Sequence, residues 1–195
     1  MRTVGIMGIF LMVACQPTGN PSSSSVPSAP NVSQPEPSEV WRVALDSLTT
    51  EKQRSILQKV LHTAEKQGWA GAVSYCHAAA ETLTFFRNEK IHLQRVALRN
   101  RNPKNALQDS LDHAAYQHFE QSKRKESLVW QANDGKLRYY RPIYIIMPQC
   151  LKCHGNQKEI DGPALAMIRK LYPGDKAQGF AEGDLRGLWK AEIQP

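Results

Sequence analysis

Apolar residues recur at helical spacing through the first half of the chain beyond residue 40. Leu48, Ile56, Leu57, Val60, Leu61 and Ala64 follow the three-and-four pattern, Thr50-Glu51-Lys52-Gln53 reads as a capping box before them, and Gly68 stops the run. A second helix is expected over 70–81, AGAVSYCHAAAE, small-residued and nearly uncharged, with Val73, Cys76, His77 and Ala80 on one face. The period then changes. Residues 91–98 alternate as a strand, a basic turn-rich loop follows to Asn105, and 106–121 returns to helical spacing through Leu107, Leu111, Ala114, Ala115 and Phe119. Residues 128–132 and 137–142 flank Asn133-Asp134-Gly135 as a hairpin, whose second strand is expected to run on through 143–147 towards Cys150. A helix over 163–171 ends at Tyr172-Pro173-Gly174-Asp175, and 185–193, with Trp189, reads as a closing strand. Helices gathered first and antiparallel strands after them make an α+β fold, one domain over 41–195 without internal repeats.

The front of the chain follows different rules. Arg2 and the apolar run Val4 to Val13 have the form of an export signal, too short to span a bilayer. Leu11-Met12-Val13-Ala14-Cys15 resembles a bacterial lipoprotein signal, which would remove residues 1–14 and leave Cys15 lipidated; an ordinary secretory signal is the alternative. Gln16 after that cysteine resembles lipoproteins sent to an outer membrane. Residues 15–40, rich in Pro, Ser and Asn, cannot bury enough surface to fold. They read as a tether reaching about 27 Å or more.

Charge narrows the partners. The chain carries +7, and with Arg2, Glu36 and Glu39 set aside residues 40–195 carry +8. Such a domain attracts nucleic acid, anionic lipid or an acidic protein, and export argues against nucleic acid. Part of the excess suits an anionic cofactor, and a solvated basic surface accounts for the remainder.

The chemistry concentrates in Cys150-Leu151-Lys152-Cys153-His154. A C-x-x-C-H pattern is that of one covalent c-type haem, Cys150 and Cys153 forming thioethers to its two vinyl groups and His154 ligating iron. A zinc site would need a second ligand pair, a thioredoxin-like pair would open a helix early in a βαβ unit, and a disulfide would close a small strained ring. Only about 40 residues follow His154, which excludes the all-helical cytochromes whose motif comes first. Cys76 remains unassigned in an exported chain, either a buried small hydrophobe or a ligand. Met147, Met167 and His77 are its rivals for a sixth position. His62, His92, His113 and His118 are read as ordinary residues.

Val73-Ser74-Tyr75-Cys76, Leu98-Arg99, Arg101-Asn102-Pro103-Lys104-Asn105, Cys150 to Gly155, Tyr172 to Ala177, Gly179-Phe180 and Gly183-Asp184-Leu185-Arg186-Gly187 follow one another in fixed order. Together they resemble the PAS-like c-type haem domain family first characterised in cyanobacteria and also found as an extracytoplasmic input domain of sensor kinases. The resemblance covers roughly residues 44–193. It departs at the extra Arg99-Asn100 and at Ala106-Leu107 after Asn105. It implies a PAS-like antiparallel sheet flanked by helices, one haem c, His154 as proximal ligand and Cys76 as distal ligand. By proximity in the family loop, Arg99, Arg101 and Lys104 are candidates for the propionates. Two filled axial positions argue against an enzyme. Redox or gas sensing, with a diatomic ligand and a signalling partner, then stands beside periplasmic electron transfer to a redox partner, both lipid-anchored at the membrane.

Overall fold

The computed structural model describes residues 37–194, so the expected signal, Cys15 and most of the expected tether lie outside the described residues. The first helix, α1 (Pro37–Thr84), starts well before the supposed capping box. Thr49 and Thr50 donate their hydroxyls back to the carbonyls of Leu45 (2.7 Å) and Asp46 (2.6 Å), an i−4 bond that belongs inside a helix rather than at its cap. The expected break does occur. Gly68 has φ 71° and ψ 176°, a region essentially restricted to glycine, and it divides α1 into the two helical runs expected from the sequence.

Five strands follow: β1 (Phe86–Arg87), β2 (Ile91–Val96), β3 (Leu128–Gln131), β4 (Leu137–Tyr144) and β5 (Leu185–Ile193). They form one sheet in the order β1-β2-β5-β4-β3, every pair antiparallel. The closing strand is therefore central, flanked by β2 and β4. Its alternate side chains face opposite layers. Trp189, Ala191 and Ile193 join Leu93, Tyr139, Ile143 and Leu45 in a cluster beneath α1. Leu188 joins Val96, Tyr140, Tyr116 and Phe119 beneath α2 (Ser110–Ser122). Each fully buried Leu or Ile in these clusters contributes about 1.5–3 kcal/mol relative to exposure. The third helix thus starts four residues later than the 106–121 expected. Asp109 caps it by accepting from the Asp112 backbone N–H at 2.9 Å, and Ala106 is diverted into an isolated bridge with Ala97 after a short 3-10 turn, Pro103–Asn105.

The chain leaves β4 at Tyr144 instead of running on as a strand. Pro148 then opens a short helix, α3 (Pro148–His154), so the whole C-x-x-C-H motif is helical. A last helix, α4 (Gly162–Leu171), is capped by Asp161, which accepts from the Ala164 backbone at 3.0 Å. Its Ala164 and Ile168, with Ile160 just ahead of the helix, cluster with Val73 of α1. That contact sets the Cys76 segment against the motif.

Candidate functional site

A cavity of about 810 Å³ opens between α1, the sheet and α3, within the size range of small-molecule sites. Ile56, Leu57, Val60 and Leu61 line it before the Gly68 break, and Trp69, Ala72, Val73 and Cys76 after it. Ile143, Trp189, Arg95, Arg141 and Arg186 face it from the sheet, while Cys150, Cys153, His154 and Tyr172 close one end. The second helix and the motif, about 75 residues apart in sequence, thus contribute to one chamber. A smaller cavity of about 140 Å³ adjoins it, shared by Cys76, His154, Arg95, Arg101, Tyr172 and Arg186 among others.

The imidazole is held in one orientation. Ala177 O lies 2.8 Å from His154 Nδ1, and a carbonyl only accepts, so Nδ1 carries the proton and Nε2 keeps a lone pair for a ligand. The guanidinium of Arg101, 3.5 Å from the same nitrogen, is at the limit of hydrogen bonding and does not compete. Burial, with the charges of Arg186 and Arg101, pushes the His154 pKa well below the ordinary value and keeps the ring neutral. The loop behind the ring is tied down at several points. Phe180 N donates to His154 O at 2.9 Å and Gly179 N to Gly155 O at 2.7 Å.

Arg101 holds this assembly together. Its Nη2 donates to Cys153 O at 2.6 Å and to Ala177 O at 3.3 Å, and its Nε pairs with Asp175 at 3.1 Å. Asp175 is only 3% exposed and in turn accepts from Ala177 N at 2.9 Å. The expected propionate contacts therefore fall in different places. Arg101 lines the cavity with its donors largely committed. Arg99 lies over the Phe180 ring at 3.9 Å, and Lys104 is exposed in the 3-10 turn, neither lining the cavities described.

All three cysteines of the described residues are free thiols, so the strained Cys150–Cys153 disulfide is not formed. Burial raises the pKa of Cys76, with Arg95 and Arg101 pulling the other way. It carries Cys153 up to about 11, again against Arg101. Among the described residues no three His, Cys, Asp or Glu gather closely enough to hold a bare metal ion. The rival ligands are spread out. Met167 packs in the α4 cluster, Met147 precedes α3, and His77 is exposed, edge-on to Tyr172 with ring centroids 5.0 Å apart.

Arg95 and Arg186 were missed by sequence reasoning, though both left a signal. Arg95 follows Ile91 and Leu93 on the buried face of β2, where an arginine interrupts an apolar alternation. Arg186 stands between Gly183 and Gly187, glycines that mark an irregular strand start.

The profile of one family, described as Tll0287-like, matches residues 42–193. The chain belongs to the Tll0287-like family. That match runs from α1 to β5, so every lining residue named above lies inside the Tll0287-like region. Among solved structures, the crystal structure of the cyanobacterial heme-protein Tll0287 superposes with a TM-score of 0.52 at 22% identity, covering 82% of this chain and 96% of that one. At this identity the likeness speaks for the fold, an α+β domain on a five-stranded antiparallel sheet. No curated protein matches the chain.

Proposed function

We propose that this chain is an exported, lipid-anchored c-type haem protein with a PAS-like domain, binding one covalent haem and acting in redox or gas sensing. Cys150 and Cys153 hold the thioethers, His154 is the proximal ligand and Cys76 the distal one. The observation that carries this reading is convergence on a single, mostly apolar cavity of the motif's two thiols and imidazole with Cys76 from the opposing helical wall. The residues fit the group. Nε2 of His154 is kept unprotonated by the Ala177 carbonyl, the thiols line the same chamber, and Arg95 and Arg101 favour the thiolate form of Cys76 against its burial. Haem in such a site supplies one-electron redox chemistry and, where an axial position opens, a place for a diatomic gas. The protein's own contribution is to orient His154, to present Cys76 from a segment hinged at Gly68, and to wall off water. With both axial positions taken by side chains, the site favours sensing or electron transfer over catalysis.

Sensing is favoured by the hinge. Release of Cys76 would let the segment beyond Gly68 move, which gives a two-state element for a separate signalling partner to read. A periplasmic electron-transfer cytochrome is the second reading, favoured by two side-chain ligands that would hold the iron coordination constant through redox cycles. Membrane attachment rests on Cys15, since no helix among the described residues is long and apolar enough to cross a bilayer, and Gln16 directs the reading to an outer membrane facing the periplasm.

The chain made with cytochrome c maturation machinery should keep its visible absorbance after denaturation and acid–acetone extraction, and Cys150→Ala/Cys153→Ala should lose it. Colour extracted from the wild type would refute covalent attachment. Carbon monoxide binding to the reduced form with displacement of Cys76 supports sensing; a reduced spectrum unmoved by carbon monoxide supports the electron carrier.

A further inference from the structure

Two of the four arginines that line the main cavity are left without a carboxylate partner of their own. Arg141 donates to Asp46 O at 2.9 Å and to the hydroxyls of Thr49 and Thr50. Arg101 is paired with Asp175. Arg186 is only 9% exposed, yet its Nε has no hydrogen-bond partner. Its Nη1 donates to Arg99 O at 3.2 Å, and the Phe180 ring lies 5.5 Å from the guanidinium. Asp175, the carboxylate whose charge reaches it, is already held by Arg101. Arg95 faces the Trp189 ring at 5.9 Å and has the Cys76 thiol as the acidic group whose charge reaches it, but among the described residues it forms no hydrogen bond or carboxylate ion pair. A guanidinium stays charged in a protein, and a buried charge without a partner is costly.

The backbone places these two side chains together. Successive β4 residues Ile143 and Tyr144 pair with Gly187 and Leu185, so Arg186 is the extra residue of a β-bulge. A bulge re-aims its side chain. Here the alternation is broken, since Leu185 and Leu188 both join the α2-side cluster, and Arg186 is turned to the cavity side with Arg95. Ala at Gly187 would bring its Cβ 2.8 Å from Val96 O, so the bulge depends on that glycine.

We infer that Arg95 and Arg186, bounded by Arg101 and Tyr172, form an anion clamp that takes a carboxylate in the 140 Å³ chamber beside Cys76 and His154. The planar fork of each guanidinium matches a carboxylate in bidentate fashion. The carboxylate comes from one of two sources: a propionate of the haem, in which case the inference rests on the function proposed above, or a free small carboxylate entering from solvent.

The test uses the full chain, matured with haem, as wild type, Arg95→Gln and Arg186→Gln, with Arg186→Lys as a variant that keeps charge without the fork. Two titrations are made on each: reduction potential against pH, and ferric spectrum and thermal midpoint against acetate. If a propionate fills the clamp, the wild type ignores acetate, and its potential is flat with pH near neutrality where both Gln variants acquire a slope. If a free carboxylate fills it, the wild type binds acetate saturably, and the Gln variants lose about tenfold or more in affinity, with Arg186→Lys between. Wild type and Gln variants that agree in both titrations would overturn the clamp. Should no haem be attached, the haem proposal fails separately. The acetate series on the haem-free chain then decides the clamp alone, a saturable rise in midpoint lost in both Gln variants supporting it and no rise overturning it. Without acetate, that haem-free chain should unfold at the same or a higher temperature once Arg186→Gln removes the unpaired charge, whereas a purely structural arginine would give a lower midpoint.

Discussion

The two faces of the central strand β5 handle buried charge in opposite ways. Towards α2, Lys190 is fully buried, with its Nζ 2.9 Å from Asp112 Oδ1 and 3.1 Å from Gln108 Oε1. Asp112, equally buried, also accepts from the Tyr140 hydroxyl at 2.7 Å and the Gln108 backbone at 2.9 Å. Arg138 joins the rim through Asp109 at 3.2 Å and Glu192 at 3.0 Å. Every charge there meets its complement. Towards α1, four residues away along the same strand, Arg186 and Arg95 meet no carboxylate: Arg186 Nη1 donates to the Arg99 carbonyl and Arg95 faces an aromatic ring. A closed network fixes structure, whereas an open one leaves interaction capacity for something else. The difference marks the α1 face as the binding face, and it agrees with where Cys76, Cys150, Cys153 and His154 converge.

The largest effect expected from this contrast is on the closed side. Asp112→Ala leaves Lys190 buried without its principal partner and should cost about 3–5 kcal/mol in a urea unfolding experiment. A loss below 1 kcal/mol would mean that Lys190 escapes to solvent and the network is not what holds α2. Gly68→Ala comes next. A Cβ there meets nothing within 4 Å, so any loss is backbone strain alone, about 1–3 kcal/mol for this φ/ψ region; an unchanged unfolding midpoint would show that α1 is not fixed in this geometry.

The smallest effect, and the sharpest contrast, is in the pH dependence of the haem-free chain. His154 has a pKa below its ordinary 6.5 when folded, so its contribution is present above pH 6.5 and lost as pH falls. Cys153 moves from the ordinary 9.0 up to about 11, so its contribution is present below pH 9 and lost as pH rises towards 11. Stability should therefore fade on both sides of that window, with His154→Gln flattening part of the acid limb and Cys153→Ser part of the alkaline one. Cys76, Tyr139 and Tyr140, all raised chiefly by burial, contribute to the alkaline remainder. Limbs identical in wild type and variants would separate these residues from the buried environment described for them.

Much of this architecture was legible because its signals are local. Gly68 punctuates α1 because no other residue tolerates that backbone easily. Hydrophobic periodicity located most of the helices and strands, and 185–193 was legible as a closing strand, though its central place in the sheet was not. Tertiary partners overrode local rules elsewhere. Thr50-Glu51-Lys52-Gln53 has the letters of a capping box, yet the helix runs through it from Pro37. Ala106 had helical spacing but was taken by Ala97, and the apolar run after Tyr144 gave way to the helix that Pro148 starts. The cavity could be anticipated from C-x-x-C-H and the lone Cys76, whereas its arginines could not be ranked. Arg99, Arg101 and Lys104 are neighbours in sequence, but the loop spends Arg101 on Asp175, packs Arg99 on Phe180 and leaves Lys104 exposed. Arg95 and Arg186 reach the cavity only through strand pairing and a bulge.

The most direct test of the central claim is ferric electron paramagnetic resonance of the matured protein, wild type against Cys76→Ala. The proposal predicts a low-spin thiolate signature in the wild type that disappears in the variant while the haem stays covalently attached. An unchanged signature would contradict it, returning Cys76 to the lining of the cavity and leaving the iron to another ligand.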